Sequence, residues 1–107
     1  MTRRLLLSPD ARDDVIQAVG YLAERSESAA DRFWDSAQAT FRQLTLQPMG
    51  ERIRPRAAGL RGLRQWRVDV FENYLVFYQV HEQVIEIIRV LHAAQDWMTI
   101  LEKWRRR

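Results

Sequence analysis

The chain has 107 residues, a formal net charge of +3 and no cysteine. That length allows one domain, long enough to bury most of a core without a covalent staple. The missing cysteine excludes disulfides, thiolate zinc sites and a thiol nucleophile, and fits a reducing compartment.

The chain opens with "RRLLLS", a short first strand. The apolar run Leu5–Leu7 is shorter than the core of a signal peptide, and no stretch approaches a membrane span. The expectation is a soluble, cytoplasmic, single domain over residues 1–107. Ser8-Pro9 is a helix start, with Ser as N-cap and Pro in the first turn. Val15, Ala18, Val19, Leu22 and Ala23 follow on one helical face. The pattern restarts near Ser26–Ser28, where Ser28 and Asp31 have capping-box spacing. Ala30, Phe33, Trp34, Ala37, Phe41 and Leu44 then form a second stripe, with both Trp34 and Phe41 read as core. A link this short predicts an antiparallel helical hairpin, ended by Pro48.

Residues 48–62, "PMGERIRPRAAGLRG", are rich in proline and glycine, and connections of that length are often functional. Next come "LRQWRVDV", "NYLVFYQV" and "QVIEIIRV", three strands with short links and hence a meander. In the first, Trp66, Val68 and Val70 alternate with Gln65, Arg67 and Asp69. In the last, Val84–Leu91 is apolar on both faces and predicts an interior strand. Trp97, Ile100, Leu101 and Trp104 have the spacing of a terminal amphipathic helix. The predicted class is α+β, in the order β-α-α-β-β-β-α, with a helical hairpin packed on a small, mainly antiparallel sheet.

Charge is segregated along this order. Residues 48–67 carry Arg52, Arg54, Arg56, Arg61, Arg64 and Arg67 against Glu51 alone, and Arg105–Arg107 form a basic tail. Arginine keeps its charge and offers a planar fork to carboxylate or phosphate, so this patch is a candidate binding surface as well as a solvated loop. His92 and Asp96, at the end of the buried strand, have a spacing that would suit a metal. A metal needs three or four ligands, and the other histidine, His81, lies in a turn. Architecture is the better reading: Asp96 as N-cap of the last helix, and His92 bonded to a backbone group or to Asp96. No metal and no cofactor are expected.

"SPDARDDVIQAVGYLAERS", "LVFYQV" and above all "IIRVLHAAQDW" resemble the ParE branch of the ParE/RelE toxins of bacterial toxin–antitoxin modules, a group linked to plasmid stabilisation. The resemblance runs through essentially the whole chain. It implies a fold like that of small microbial ribonucleases and neutralisation by a cognate antitoxin. ParE-type members bind DNA gyrase; RelE-type members enter the ribosome and cut messenger RNA. A shared fold does not choose between them. RNA cleavage needs proton transfer, for which arginine is poorly suited. The RelE-type pattern places lysines in the loop after the second helix, where this chain has Arg52, Arg54 and Arg56. Past the last strand it has Ala93-Ala94-Gln95.

The expectation is therefore a gyrase-binding toxin without chemistry of its own, the alternative being a ribosome-dependent endoribonuclease. A nuclease would draw on Arg64, Arg67, Arg89 and His92. The expected partner-binding residues are the six arginines of the patch with Trp97, Ile100, Leu101 and Trp104. Core packing of that last helix on its own sheet is the slightly favoured alternative. A homodimer or a toxin–antitoxin heterotetramer is the expected assembly.

Overall fold

The computed structural model describes residues 2–56 and 59–106; Ala57 and Ala58 of the arginine-rich segment and Arg107 of the tail lie outside the described residues. The order is β1 (Arg4–Leu7), α1 (Pro9–Ala23), α2 (Glu27–Leu46), β2 (Glu51–Arg52), β3 (Arg64–Arg67), β4 (Tyr74–Val80), β5 (Val84–His92) and α3 (Trp97–Glu102). Apart from the short β2, this is the predicted α+β order. The strands form one sheet, β1-β5-β4-β3-β2, antiparallel except where β1 lies parallel to β5.

β5 is interior, as its apolar run requires. Ile85, Ile87 and Val90 enter the core beneath the helical hairpin, while Ile88 and Leu91 enter a second core on the other side. A bulge helps this double burial: Phe77 pairs with Arg89 and Tyr78 with Ile87, leaving Ile88 as the extra residue.

The hairpin follows from capping and periodicity. Ser8 has extended backbone, and its Oγ accepts the Ala11 N–H at 2.9 Å. The same hydroxyl donates to the Ile88 carbonyl at 2.6 Å, fixing the start of α1 to β5. The cap of α2 is Ser26 rather than Ser28: Ser26 is the extended residue, and its Oγ accepts from Ala29 N–H. Ser28 already lies inside the helix. Ala30, Phe33, Ala37, Phe41 and Leu44 are buried as expected, but Trp34 is 48% exposed. One position beyond Phe33 rotates its side chain about 100° off the buried stripe.

The hairpin β3–β4 is also shorter than its alternation suggested. β3 stops at Arg67; Val68 is buried, but Val70 is exposed and has φ of 70°. The turn has already reversed the chain there, so alternation no longer places Val70 on the apolar face. On the far side of the sheet, α3 closes the second core. Leu101 and Trp104 are buried against Leu60, Leu63, Leu75, Phe77, Ile88 and Leu91. Trp97 and Ile100 are half-buried at its margin.

Candidate functional site

The arginine patch is built on the β2–β3 edge. Gly50 makes the approach: its φ is 108°, and a Cβ there would lie 2.0 Å from the Gln65 carbonyl oxygen. Only glycine lets the chain turn this close to β3. β2 then pairs with β3 so that Arg52 stands directly opposite Arg64, and Ile53 N–H continues to Leu63 O at 2.9 Å. Two like charges facing across strands oppose the pairing. An anionic partner placed there would relieve that opposition.

The arginines differ in how they are held. Arg64 is half-buried and donates Nη1 to the Pro48 carbonyl at 3.3 Å. Arg67 stacks its guanidinium 4.3 Å from the Trp66 ring centroid and donates Nε to Glu72 at 2.9 Å. The side chains of Arg52, Arg54, Arg56 and Arg61 are exposed and make no ion pair among the described residues. Backbone groups fix the segment that carries them. Arg56 N–H donates to Glu102 of α3 at 3.3 Å, and Gln79 Nε2 donates to the Gly59 and Arg61 carbonyls at 2.9 and 3.0 Å. The patch therefore adjoins α3. Tyr78 braces the near side, its hydroxyl donating to the Met49 carbonyl. Burial raises the Tyr78 pKa, against the opposing pull of Arg64.

The residues expected of a nuclease do not come together in one place. Arg67 lines a cavity of about 310 Å³ with Thr40, Met49, Trp66 and Asp69. Arg89 and His92 line a different cavity, of about 540 Å³, with Asp14, Tyr21 and Tyr74. Within it, Arg89 donates Nε and Nη2 to the two carboxylate oxygens of Asp14 at 2.7 and 2.8 Å. Asp14 also accepts the Val90 N–H at 2.9 Å. One carboxylate thus ties α1 to β5 through a bidentate ion pair and a backbone bond, the strong form of such pairs. Both oxygens of the carboxylate are occupied, and two faces of the guanidinium fork are spent on it.

His92 is held locally. Its Nδ1 accepts the Ala94 N–H at 3.0 Å, which places the proton of the neutral ring on Nε2. Its backbone N–H donates to Gln95 Oε1 at 2.8 Å, and its ring meets Tyr74 edge-on at 5.0 Å. Burial raises the Tyr74 pKa, reinforced by Tyr21 and opposed by Arg25. Asp96 takes no part: it caps α3, accepting from Thr99 Oγ1 at 2.8 Å and from Thr99 N–H. Of the two readings for His92, the bond to a backbone group is the one present. Among the described residues, no group of three His, Asp or Glu side chains is placed to hold a metal ion.

Of the expected partner-binding residues at the terminal helix, Leu101 and, just past its end, Trp104 are buried in the chain's own second core with Leu60, Leu63 and Phe77, the packing that the sequence slightly favours. Only Trp97 and Ile100 keep partial exposure. Sequence reasoning missed Asp14 and the pinning of Glu86. The carboxylate of Glu86 is buried, paired with Arg106 of the tail and 3.1 Å from His81 Nε2. A readable signal existed for Asp14, an acid between Ala11 and Ala18 on a buried helical face.

A model of the ParE toxin of the type II toxin–antitoxin system, parDE, matches residues 5–97. No curated protein matches the chain in sequence. Among solved structures, one described as the chromosomal ParDE TA system from P. aeruginosa superposes with a TM-score of 0.64 at 14% identity, covering 85% of this chain and 96% of that one. At that identity the likeness shows a shared fold. No helix among the described residues is long and apolar enough to cross a membrane.

Proposed function

Since the chain belongs to the family of ParE toxins of type II toxin–antitoxin systems, we propose that it inhibits DNA gyrase by binding, in the cytoplasm, and is neutralised by a cognate antitoxin. The observation that carries this reading is the state of Arg89. The one strand arginine beside His92 is committed to Asp14, and Arg67 lines a separate cavity. Phosphoryl chemistry needs cationic stabilisation and proton transfer at one phosphate. Arg89 shares a cavity with His92, but its guanidinium is already paired with Asp14, and Arg67 lies outside that cavity.

The antitoxin reading rests on the β2–β3 edge. Arg52, Arg54, Arg56 and Arg61 offer uncommitted charge beside Arg64 and Arg67, and the half-buried Trp97 and Ile100 adjoin them across the Arg56–Glu102 contact. An acidic segment with apolar residues suits that surface. Replacing Arg52, Arg54 and Arg56 together by Gln is expected to slow antitoxin association and flatten its salt dependence. Unchanged salt dependence in stopped-flow binding removes the patch from the interface.

The deciding experiment induces wild type and His92→Gln without antitoxin at matched folded levels. Gyrase–DNA cleavage complexes and messenger-RNA 5′ ends are then measured. A gyrase binder yields cleavage complexes in both, with a stability loss of about 1 kcal/mol or less in the variant. A ribonuclease using His92 yields codon-phased cuts that fall by about 10²–10⁴-fold in the variant. The second result replaces gyrase by the ribosome and messenger RNA.

A further inference from the structure

The chain past α3 is tied to a buried carboxylate. Glu86 and Gln79 stand opposite one another on β5 and β4, and both are buried. Arg106 donates Nη1 to Glu86, holds Nη2 3.5 Å from Gln79 Oε1, and lies 5.4 Å from the Trp104 ring centroid. The other Glu86 oxygen is 3.1 Å from His81 Nε2. With its oxygen turned to Arg106, the Gln79 amide directs Nε2 the other way, to the Gly59 and Arg61 carbonyls. Residues 54–56 and 59–62 have little other hold on their backbone. Among the described residues, their bonding to other backbone is limited to the Leu60 carbonyl, which accepts the Leu63 N–H at 3.3 Å. What remains comes from α3 and the core: Glu102 on the Arg56 N–H, and Leu60 packed with Leu101 and Trp104.

We propose that the C-terminal tail is a strap that sets the shape of the arginine-bearing segment, with Glu86 and Gln79 as the link between the two. A buried ion pair adds little stability over apolar residues of similar volume. What this one adds is direction. Each Glu86 oxygen has its own partner, and the guanidinium fork spans the carboxylate and the Gln79 amide oxygen in a single orientation. That fixes both the place of the tail and the way the Gln79 amide faces. Flipped, Gln79 would turn its oxygen on the Gly59 and Arg61 carbonyls, acceptor against acceptor.

The consequence reaches the β2–β3 edge. Arg56 and Arg61 are exposed and make no ion pair among the described residues, and their backbone is what Glu102 and Gln79 hold. Arginines placed before a partner arrives cost less to immobilise when it binds. Loosening the tail therefore weakens the hold on an acidic partner, although no tail residue need touch that partner. This consequence rests on reading the edge as the antitoxin surface; the tie between tail and segment does not.

Two variants of the full chain cut the link differently. Glu86→Gln keeps the shape and removes the charge that Arg106 meets; Arg106→Lys keeps the charge and removes the fork. Circular dichroism checks that both fold. In amide exchange, both should lose protection at Ile53, Arg56 and Leu63 while α1 and α2 keep theirs. Binding of a hexaglutamate peptide is then measured at low salt. The triple variant Arg52→Gln, Arg54→Gln, Arg56→Gln marks the share of binding that the edge provides. Charge alone predicts tighter binding by Glu86→Gln, which makes the protein more positive. The strap predicts the opposite sign, binding about fivefold weaker in both variants. Unchanged exchange at those three amides would overturn the proposal, as would protection lost evenly over the whole chain. So would binding that follows charge, tighter in Glu86→Gln and unchanged in Arg106→Lys. A triple variant that binds as wild type does would overturn the reading of the edge instead, and exchange alone then decides the strap.

Discussion

The two faces of the sheet are covered by different means. On one, α1 and α2 lay continuous stripes over Val76, Tyr78, Ile85, Ile87 and Val90, with Phe33, Phe41 and Leu44 fully buried. On the other, the six-residue α3, the segment around Leu60–Leu63 and the tail close over Phe77, Ile88 and Leu91. A helix of that length has no independent stability. Discrete pins hold it instead: the Asp96 cap, the Glu102 carboxylate on Arg56 N–H, Gln79 on the Gly59 and Arg61 carbonyls, and Arg106 on Glu86. Periodic burial builds one face and individual polar contacts close the other. The first should unfold with the molecule and the second ahead of it.

The largest expected effect lies on the hairpin side. Phe41 is fully buried, and Phe41→Ala should cost about 3–5 kcal/mol in chemical denaturation. The loss should appear as one transition, with every strand amide exchanging faster. A loss below about 1 kcal/mol would place Phe41 outside a packed core.

Leu101→Ala probes the other face with a similar deletion. Leu101 is also fully buried, but its element opens locally, so the loss should be smaller in global unfolding, about 2–3 kcal/mol, at the low end for such deletions. Hydrogen exchange should show α3 and residues 59–63 losing protection while α1 and α2 keep theirs. Equal loss of protection in both regions would mean that the two cores unfold as one unit, and the comparison would fail.

The same contrast explains what could be read from the sequence. The helical stripes, the Ser8-Pro9 start and the interior β5 were legible because periodicity and capping are local consequences of backbone geometry. Where periodicity was extended too far, it misled. Trp34 adjoins the stripe without belonging to it, and Val70 lies past the turn that ends the alternation. The candidate site was half legible: the arginine-rich edge is a composition signal, whereas the Asp14–Arg89 pair joins residues 75 apart in sequence. No local pattern encodes such a pairing; an acid on a buried helical face and an arginine within an apolar strand only pose the question. The closure of the second core was the least legible, because irregular chain carries no period.

The smallest effect sharpens the comparison most finely. Trp104 is buried in the second core, and its Nε1–H is the one buried side-chain polar atom without a hydrogen-bond partner among the described residues. An unmet buried donor costs about 1–3 kcal/mol. Trp104→Phe removes that donor while giving up part of the indole's packing, a loss of about 1–3 kcal/mol for overfilled or underfilled volume. The two terms oppose each other, so the net change should lie within about 1 kcal/mol of zero. On the hairpin side no buried side-chain donor among the described residues is left unmet, and removing a comparable volume has no offset there. Equilibrium denaturation of Trp104→Phe measures the balance directly. A loss well above about 2 kcal/mol would show that the indole N–H is satisfied in solution, and that the second face is closed by one more pin of the kind that holds Glu86 and Gln79.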